Sequence, residues 1–319
     1  MKRIGFDHKA GKYFEIDGAN IYYEEIENTG KPPLFFLHGG MGNIADFNPI
    51  VPLFADDYHI VGIDSRGHGK STLGMERLTY KRLQLDVEAI INHLQLKNIN
   101  IIGFSDGGVV AYRLALSKRD SIQKIVTIGA VCVASTPEDN SIFFADVTHE
   151  DYIKGFKENF DFYTQHNPQP DTGKFIKCTE EMWFDKSEDG FPHASIQHIN
   201  VPTLIVRGDN DFDPLEQFTE TRIKIPNSVF FNIPFEGHVP AFQKYPQFFA
   251  EVTKDFLNGA GTANYIVTEN YEAEFAHEKA FAKGEIVERI MEQNGLLWAK
   301  SKATGETAWI PLGNAELQK

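Results

Sequence analysis

The sequence predicts an α/β protein: a mostly parallel sheet with helices on both faces, a helical insertion, and a small all-β unit at the C-terminus. Three observations carry this. Short apolar runs recur near residues 33–37, 59–63, 99–102, 124–130, 202–206 and 228–233, and helical stretches alternate with them. Between Val131 and Asn200 the strand pattern lapses, and aromatic helical segments such as Tyr152–Tyr163 take its place. After a small-residue linker, Asn258–Asn264, short alternating β segments fill the remainder.

Taken in order, Tyr13–Asp17 and Ile21–Glu25 flank Gly18 and read as an opening hairpin. Leu34-Phe35-Phe36-Leu37 reads as a strand and runs into the small-residue loop His38-Gly39-Gly40-Met41-Gly42. Thr79 stands as a cap before a stretch to Leu94 with apolar residues at helical spacing. Asn98–Ile102 is a buried strand, Gly108–Leu116 a helix, and between them lies Gly103-Phe104-Ser105-Asp106-Gly107. A strand that turns sharply into a helix lifts the central side chain out of the sheet, and glycines on either side keep the crowded turn free of β-carbons. Ser105 then stands exposed above a helix N-terminus.

A serine hydroxyl is a weak nucleophile at neutral pH and needs a base, itself oriented by a third group. Two downstream strands supply candidates in loops at their C-terminal ends, where open α/β sheets carry their sites. Thr203–Arg207 leads into Gly208-Asp209-Asn210-Asp211-Phe212-Asp213, and Val229–Ile233 leads into Gly237-His238. His238 is the expected base among eleven histidines. Asp211 is the expected acid, with Asp209 and Asp213 as fallbacks, and the bland alternative is a solvated acidic loop or weak cation site. An oxyanion hole needs two backbone N–H donors. The expected ones are Asp106 and Gly40, with Met41 next, while His38 is expected to hold the loop. Met41, Phe104 and Trp183 are the expected substrate-binding residues. The insertion at about 131–200 reads as a lid, in which Phe143, Phe144, Phe156, Phe160, Met182 and Trp183 either line an acyl pocket or hold the lid together. No metal or organic cofactor is required.

These ordered motifs, together with Asp64-Ser65-Arg66-Gly67-His68-Gly69-Lys70-Ser71, resemble the α/β-hydrolase fold over about residues 12–258. The resemblance implies that the Asp64–Ser71 loop shapes the floor of the site and does no chemistry. Ser105 departs from the Asp that haloalkane dehalogenases and epoxide hydrolases carry, and Phe104 and Asp106 depart from the proline iminopeptidase pattern. Gly-Phe-Ser-Asp-Gly-Gly resembles the biphenyl-hydrolase-like esterases, a group that includes enzymes acting on α-amino acid esters. The Asp106 carboxylate would then either meet a substrate ammonium or cap the following helix.

The net charge of −14 argues against nucleic acid and anionic membrane surfaces as partners. Cys132 and Cys178 are too few for a disulfide framework. The N-terminal stretch shows no apolar signal region, and a cytoplasmic protein is expected. Residues 1–258 are expected to form the first domain and 265–319 the second. The latter resembles an SH3-like barrel in Tyr271-Glu272-Ala273-Glu274, Lys283-Gly284-Glu285, Trp298 and Trp309-Ile310-Pro311. That resemblance implies a peptide groove at Tyr271, Trp298 and Pro311, although Glu269 departs from the pattern. The preferred expectation is a barrel that packs on the hydrolase domain or, by self-association, on a second subunit, with peptide binding as the alternative. The expected function is a serine hydrolase cleaving a small carboxylic ester. Carbon–carbon and aminoester or amide hydrolysis on the same residues are alternatives, as is a ligand-binding protein on a hydrolase scaffold.

Overall fold

The structure is a computed structural model that describes residues 4–117, 120–133, 147–239, 244–259, 264–272 and 280–318. In its first unit, Met1–Ala250, β1 (Lys12–Ile16) and β2 (Ala19–Ile26) form the hairpin expected around Gly18. Asp17 and Gly18 have φ of 47° and 73°, and Ile16 pairs with Ala19 across them. Two left-handed residues in a two-residue loop match the twist of the flanking strands, which is why Asp-Gly favours this turn.

Six more strands complete the sheet: β3 (Pro33–Leu37), β4 (His59–Ile63), β5 (Ile99–Phe104), β6 (Ile122–Ile128), β7 (Thr203–Gly208) and β8 (Ser228–Ile233). Their order is β1-β2-β4-β3-β5-β6-β7-β8; β1–β2 and β2–β4 pair antiparallel, and every later pair is parallel. Every residue of β3 and of β5 is buried, which is why these strands read as unbroken apolar runs and not as alternating ones. Burying each Phe or Ile contributes roughly 1.5–3 kcal/mol, so this centre is the rigid base of the sheet. α1 (Val51–Phe54) is one short turn. α2 (Tyr80–Leu94) begins where Thr79 Oγ1 accepts from Arg82 N–H, the expected cap. α3 (Asp106–Ser117) packs on β5 and β6.

The chain between β6 and β7 holds α4 (His149–Gly155), α5 (Lys157–His166) and α6 (Thr172–Trp183). Thr148 and Asp151 form a reciprocal cap on α4, and Asp171 caps α6. The insertion has its own core of Tyr152, Phe160, Tyr163, Phe175 and Ile176, which also takes in Met41. Phe143 and Phe144 lie outside the described residues. α7 (Leu215–Lys224) precedes β8, and α8 (Pro246–Leu257) follows it.

The second unit, Glu251–Lys319, starts inside α8 and so earlier than the linker, of which residues 260–263 lie outside the described residues, as do Ala273 and Glu274. It carries an antiparallel sheet of β9 (Asn264–Val267), β10 (Ile286–Gln293), β11 (Leu296–Ser301), β12 (Thr307–Pro311) and β13 (Ala315–Leu317), in the order β12-β11-β10-β9-β13. Asn294 and Gly295, both at positive φ, close the β10–β11 hairpin by the same turn chemistry as Asp17-Gly18. Alternate residues Leu297, Ala299, Ala308 and Ile310 enter a small core with Val267, Phe281 and Val287. Trp298 and Trp309 pair on the opposite strand face, rings 5.4 Å apart and half-buried, while Tyr271 is tied to Phe281 by a bridge. Among the described residues no helix is long and apolar enough to cross a membrane.

Candidate active site

β5 ends at Phe104, α3 starts at Asp106, and Ser105 between them has φ of 50°. The flanking glycines are sterically forced. A β-carbon on Gly103 would lie 2.3 Å from the Gly107 carbonyl oxygen, and one on Gly107 would lie 2.0 Å from that of Leu37. Ser105 N–H donates to Ile128 O at 2.8 Å, pinning the turn to β6.

His238, 133 residues downstream, brings Nε2 to 3.1 Å from Ser105 Oγ, and its Nδ1 lies 3.0 Å from Asp211 Oδ1. An ionised carboxylate only accepts, so Nδ1 carries the proton and Nε2 is left to accept from the serine O–H. The ring is held between Phe212, 4.1 Å from it, and Phe104, 5.1 Å from it. Of the three expected acids only Asp211 bonds His238 among the described contacts. Asp209 is exposed and bonds Asn232, and Asp213 contributes its N–H to Asp211 Oδ1 at 3.1 Å. Buried Arg207 braces this loop by donating to the carbonyls of Asp209 and Asp213, a role the sequence reading missed. Asp211, Asp213 and His238 also bring one donor atom each within 4.8 Å of one another, a cation-sized cluster. A metal there would compete with Ser105 and Asp211 for the imidazole.

The loop after β3 is fixed by His38. Its Nε2 accepts from Ser65 N–H at 2.9 Å, which leaves Nδ1–H to donate to Gly39 O at 2.7 Å. That is the expected holding role. Gly40 faces the cavity beside Ser105, and a β-carbon on it would lie 2.6 Å from the Trp183 ring and 2.7 Å from Asp106 Oδ2. Met41, expected at the substrate, instead has φ of 59° and turns its side chain into the core of the helical insertion; it is not among the residues lining the cavity. The Asp64–Ser71 loop is a scaffold. Asp64 accepts from Ile44 N–H, Lys70 N–H and His8; burial alone would raise its carboxyl, but these partners and His38 hold it below the usual range. Arg66, fully buried, makes two 2.7 Å bonds to Asp86. Burial, aided by His38, pushes His68 down to about 3, so that imidazole stays neutral and is no base.

The Asp106 side chain does not cap α3, the blander of its two expected roles. Its buried carboxylate accepts from Tyr80 O–H at 2.7 Å and from Trp183 Nε1–H, which bridges both oxygens at 3.0 and 2.9 Å. Burial raises this carboxyl, and the Trp183 and Tyr80 donors offset part of the rise. Tyr80, the first residue of α2, carried no sequence signal for this contact; its phenol is pushed well above its usual value by burial and by Asp106.

The sequence pattern of the α/β-hydrolase fold matches residues 32–179. A bifunctional esterase/perhydrolase from Acinetobacter calcoaceticus is 32% identical over 220 residues, 61% of this chain and 80% of that protein. The chain belongs to the α/β-hydrolase family. This esterase-like enzyme is also 26% identical to the uncharacterized hydrolase YugF of Bacillus subtilis, over 76% of the chain and 96% of that protein. In fold it resembles the esterase EaEST from Exiguobacterium antarcticum, with a TM-score of 0.63 at 24% identity, over 78% of this chain and 99% of that one.

The hydrolase carries a cavity of about 260 Å³ against Ser105 and His238. Its wall is aromatic: Phe104, Phe156, Trp183, Phe184, Phe191 and Phe212 line it, with Tyr80, Asp106 and Asp213 as its polar points. Phe104 and Trp183, the other two expected substrate-binding residues, line the cavity, whereas Phe160 and Met182 are buried in cores and absent from the lining. Phe191 and Phe212 were missed because each sits in a loop without periodicity. Among the described residues no lysine or arginine lines the cavity.

Proposed function

We propose that this hydrolase cleaves a small, uncharged carboxylic ester through a Ser105-His238-Asp211 acyl-enzyme mechanism, with α4–α6 as the lid. The observation that carries the reading is His238, bonded to Ser105 Oγ on one side and to Asp211 on the other at the wall of the cavity. Ser105 Oγ attacks the ester carbonyl carbon while His238 Nε2 takes its proton. Asp211 holds the Nδ1–H tautomer and stabilises the imidazolium. The N–H groups of Asp106 and Gly40 receive the oxyanion, helped by the N-terminus of α3. His238 then protonates the departing alkoxide, the C–O bond breaks, and water, deprotonated by the same imidazole, releases the acid and restores Ser105.

The cavity supports the substrate class. A dry cavity of roughly 150 Å³ suffices for benzene, so about 260 Å³ suits a small apolar or aryl acyl group. Asp106 and Asp213, with no cationic side chain beside them among the described lining residues, disfavour anionic esters. Aminoester cleavage is a second reading, favoured by the Asp106 carboxylate at the cavity, although that carboxylate already accepts from Tyr80 and Trp183. An SH3-like reading of the C-terminal sheet is supported by its first strand, β9, pairing with both β10 and β13, and by the 3-10 turn Leu312–Asn314 before the last strand.

The test is hydrolysis of p-nitrophenyl esters over a range of acyl groups, an α-aminoacyl ester included, by wild type and Ser105→Ala. Turnover of neutral esters that falls on the order of 10⁶-fold in the variant is expected. Unchanged turnover in Ser105→Ala removes the serine mechanism, and a preference for the aminoacyl ester promotes the second reading.

A further inference from the structure

We propose that Trp183 is a positioning residue: its indole N–H latches the lid to the Asp106 carboxylate, and this bond holds the Asp106 and Gly40 peptides where they receive the oxyanion. The inference rests on the reading of those two peptides as the oxyanion donors.

Three elements meet at one carboxylate. Asp106 immediately follows Ser105 and opens α3, Tyr80 opens α2, and Trp183 is the last residue of α6. The Asp106 side chain belongs to a residue only 6% exposed, and both its oxygens accept from the indole. A carboxylate this buried needs hydrogen-bond donors, and besides the Tyr80 hydroxyl it takes one from the helical insertion, 77 residues away in sequence. The same pair of groups lies beside Gly40: the indole ring and Asp106 Oδ2 are the two nearest obstacles a β-carbon there would meet. The indole is thus bonded to the side chain of one residue whose peptide is expected to face the substrate oxygen and lies against the other.

Moving α6 away from α3 breaks the bond and takes the indole away from Gly40 at the same time. Lid closure and oxyanion-hole geometry are therefore one event. The rest of the lid is clamped elsewhere. Asn167 donates to the carbonyls of Gly69 and Ser71, and Asn159 donates to Asp46. Loss of the latch should then loosen the Trp183 end of the lid and leave the rest closed.

The test uses Trp183→Phe, which keeps an aromatic ring and deletes the N–H, together with Asp106→Ala, Asp106→Asn and the Trp183→Phe/Asp106→Ala double variant. Ester kinetics and amide hydrogen exchange of residues 172–183 and 38–42 are measured on the full chain. Because ångström-scale misplacement of reacting groups costs up to about 10²-fold, Trp183→Phe should lower kcat by roughly 10–100-fold with KM within about threefold, and speed exchange in both segments. Asp106→Asn, which keeps an acceptor, should recover most of what Asp106→Ala loses, and the double variant should be little worse than the worse single one. A rise in KM with kcat unchanged makes Trp183 a pocket wall and overturns the proposal. Additive losses in the double variant, or wild-type kinetics and exchange in Trp183→Phe, overturn it as well. A wild type that turns over no ester sinks the functional reading instead. Exchange in Trp183→Phe and Asp106→Ala then decides the latch alone: unchanged protection of both segments removes it.

Discussion

Replacing Asp211 with Asn tests which carboxylate orients His238, and its size can be worked from the geometry. Asp211 Oδ1 receives both His238 Nδ1–H at 3.0 Å and Asp213 N–H at 3.1 Å. In Asp211→Asn those two donors steer the amide oxygen into the same place, and the NH₂ takes the position of Oδ2, which is buried and without a partner. The Nδ1–H tautomer survives, and what is lost is the charge facing the imidazolium in the transition state. At about 4 Å between charges and an effective dielectric constant of about 20, that attraction is worth about 4 kcal/mol. Each 1.36 kcal/mol is about a factor of ten in rate, so kcat should fall roughly 10³-fold. In serine proteases the same change also imposes the wrong tautomer, and the loss there is about 10⁴-fold. The assay is steady-state hydrolysis of the best p-nitrophenyl ester near neutral pH, with active-site titration to count competent molecules. KM should hardly move, and the buried amide donors should cost about 1–3 kcal/mol of stability in urea unfolding. A loss in kcat below tenfold refutes the reasoning, and a larger loss in Asp213→Asn moves the acid to that residue.

His68 sets an acid limit on stability. Its imidazole sits at about 3 in the folded protein because of burial and, next, His38, against an ordinary value of 6.5. Between those values the unfolded chain binds a proton that the folded one refuses. The associated stability is therefore complete above pH 6.5 and drains away as pH falls toward 3, by up to about 1.4 kcal/mol per pH unit. Urea midpoints from pH 7 to 4 should fall more steeply for wild type than for His68→Gln, and parallel slopes would reject the claim. At the turn beneath Ser105, Gly107→Ala places a β-carbon against the Leu37 carbonyl, an obstacle of backbone that cannot rotate away. A loss of about 3 kcal/mol by chemical denaturation is expected, and a variant of wild-type stability would show that the turn can shift.

Much of the fold was legible because its signals are local. Unbroken apolar runs in β3 and β5, Asp17-Gly18 at the opening hairpin, and Thr79 before α2 each encode their structure within a few residues. The strand–Ser105–helix turn was legible from its Gly-x-Ser-x-Gly spacing; Gly103 is required by the Gly107 carbonyl within the turn, whereas Gly107 is required by the Leu37 carbonyl on β3, a contact across the fold. Chain order then pointed to His238 and to an acid near Asp211. The C-terminal sheet was legible as a β unit from alternation alone.

What the sequence could not decide depends on side chains meeting across the fold. Asp209, Asp211 and Asp213 alternate in one loop, and the choice among them follows from how Arg207 and the Asp213 N–H shape that loop against His238. Whether Asp106 caps its helix or faces the cavity depended on Tyr80 and Trp183, 26 and 77 residues distant. Met41, at φ of 59° in the loop that His38 holds, packs in the core of the helical insertion, a partner far along the chain. By itself the sequence determined the strands and the turns, because backbone propensity and hydrophobic period act over a few residues. Only the tertiary structure decided which carboxylate serves which partner, because a hydrogen bond is set by distances of about 3 Å that chain spacing does not encode.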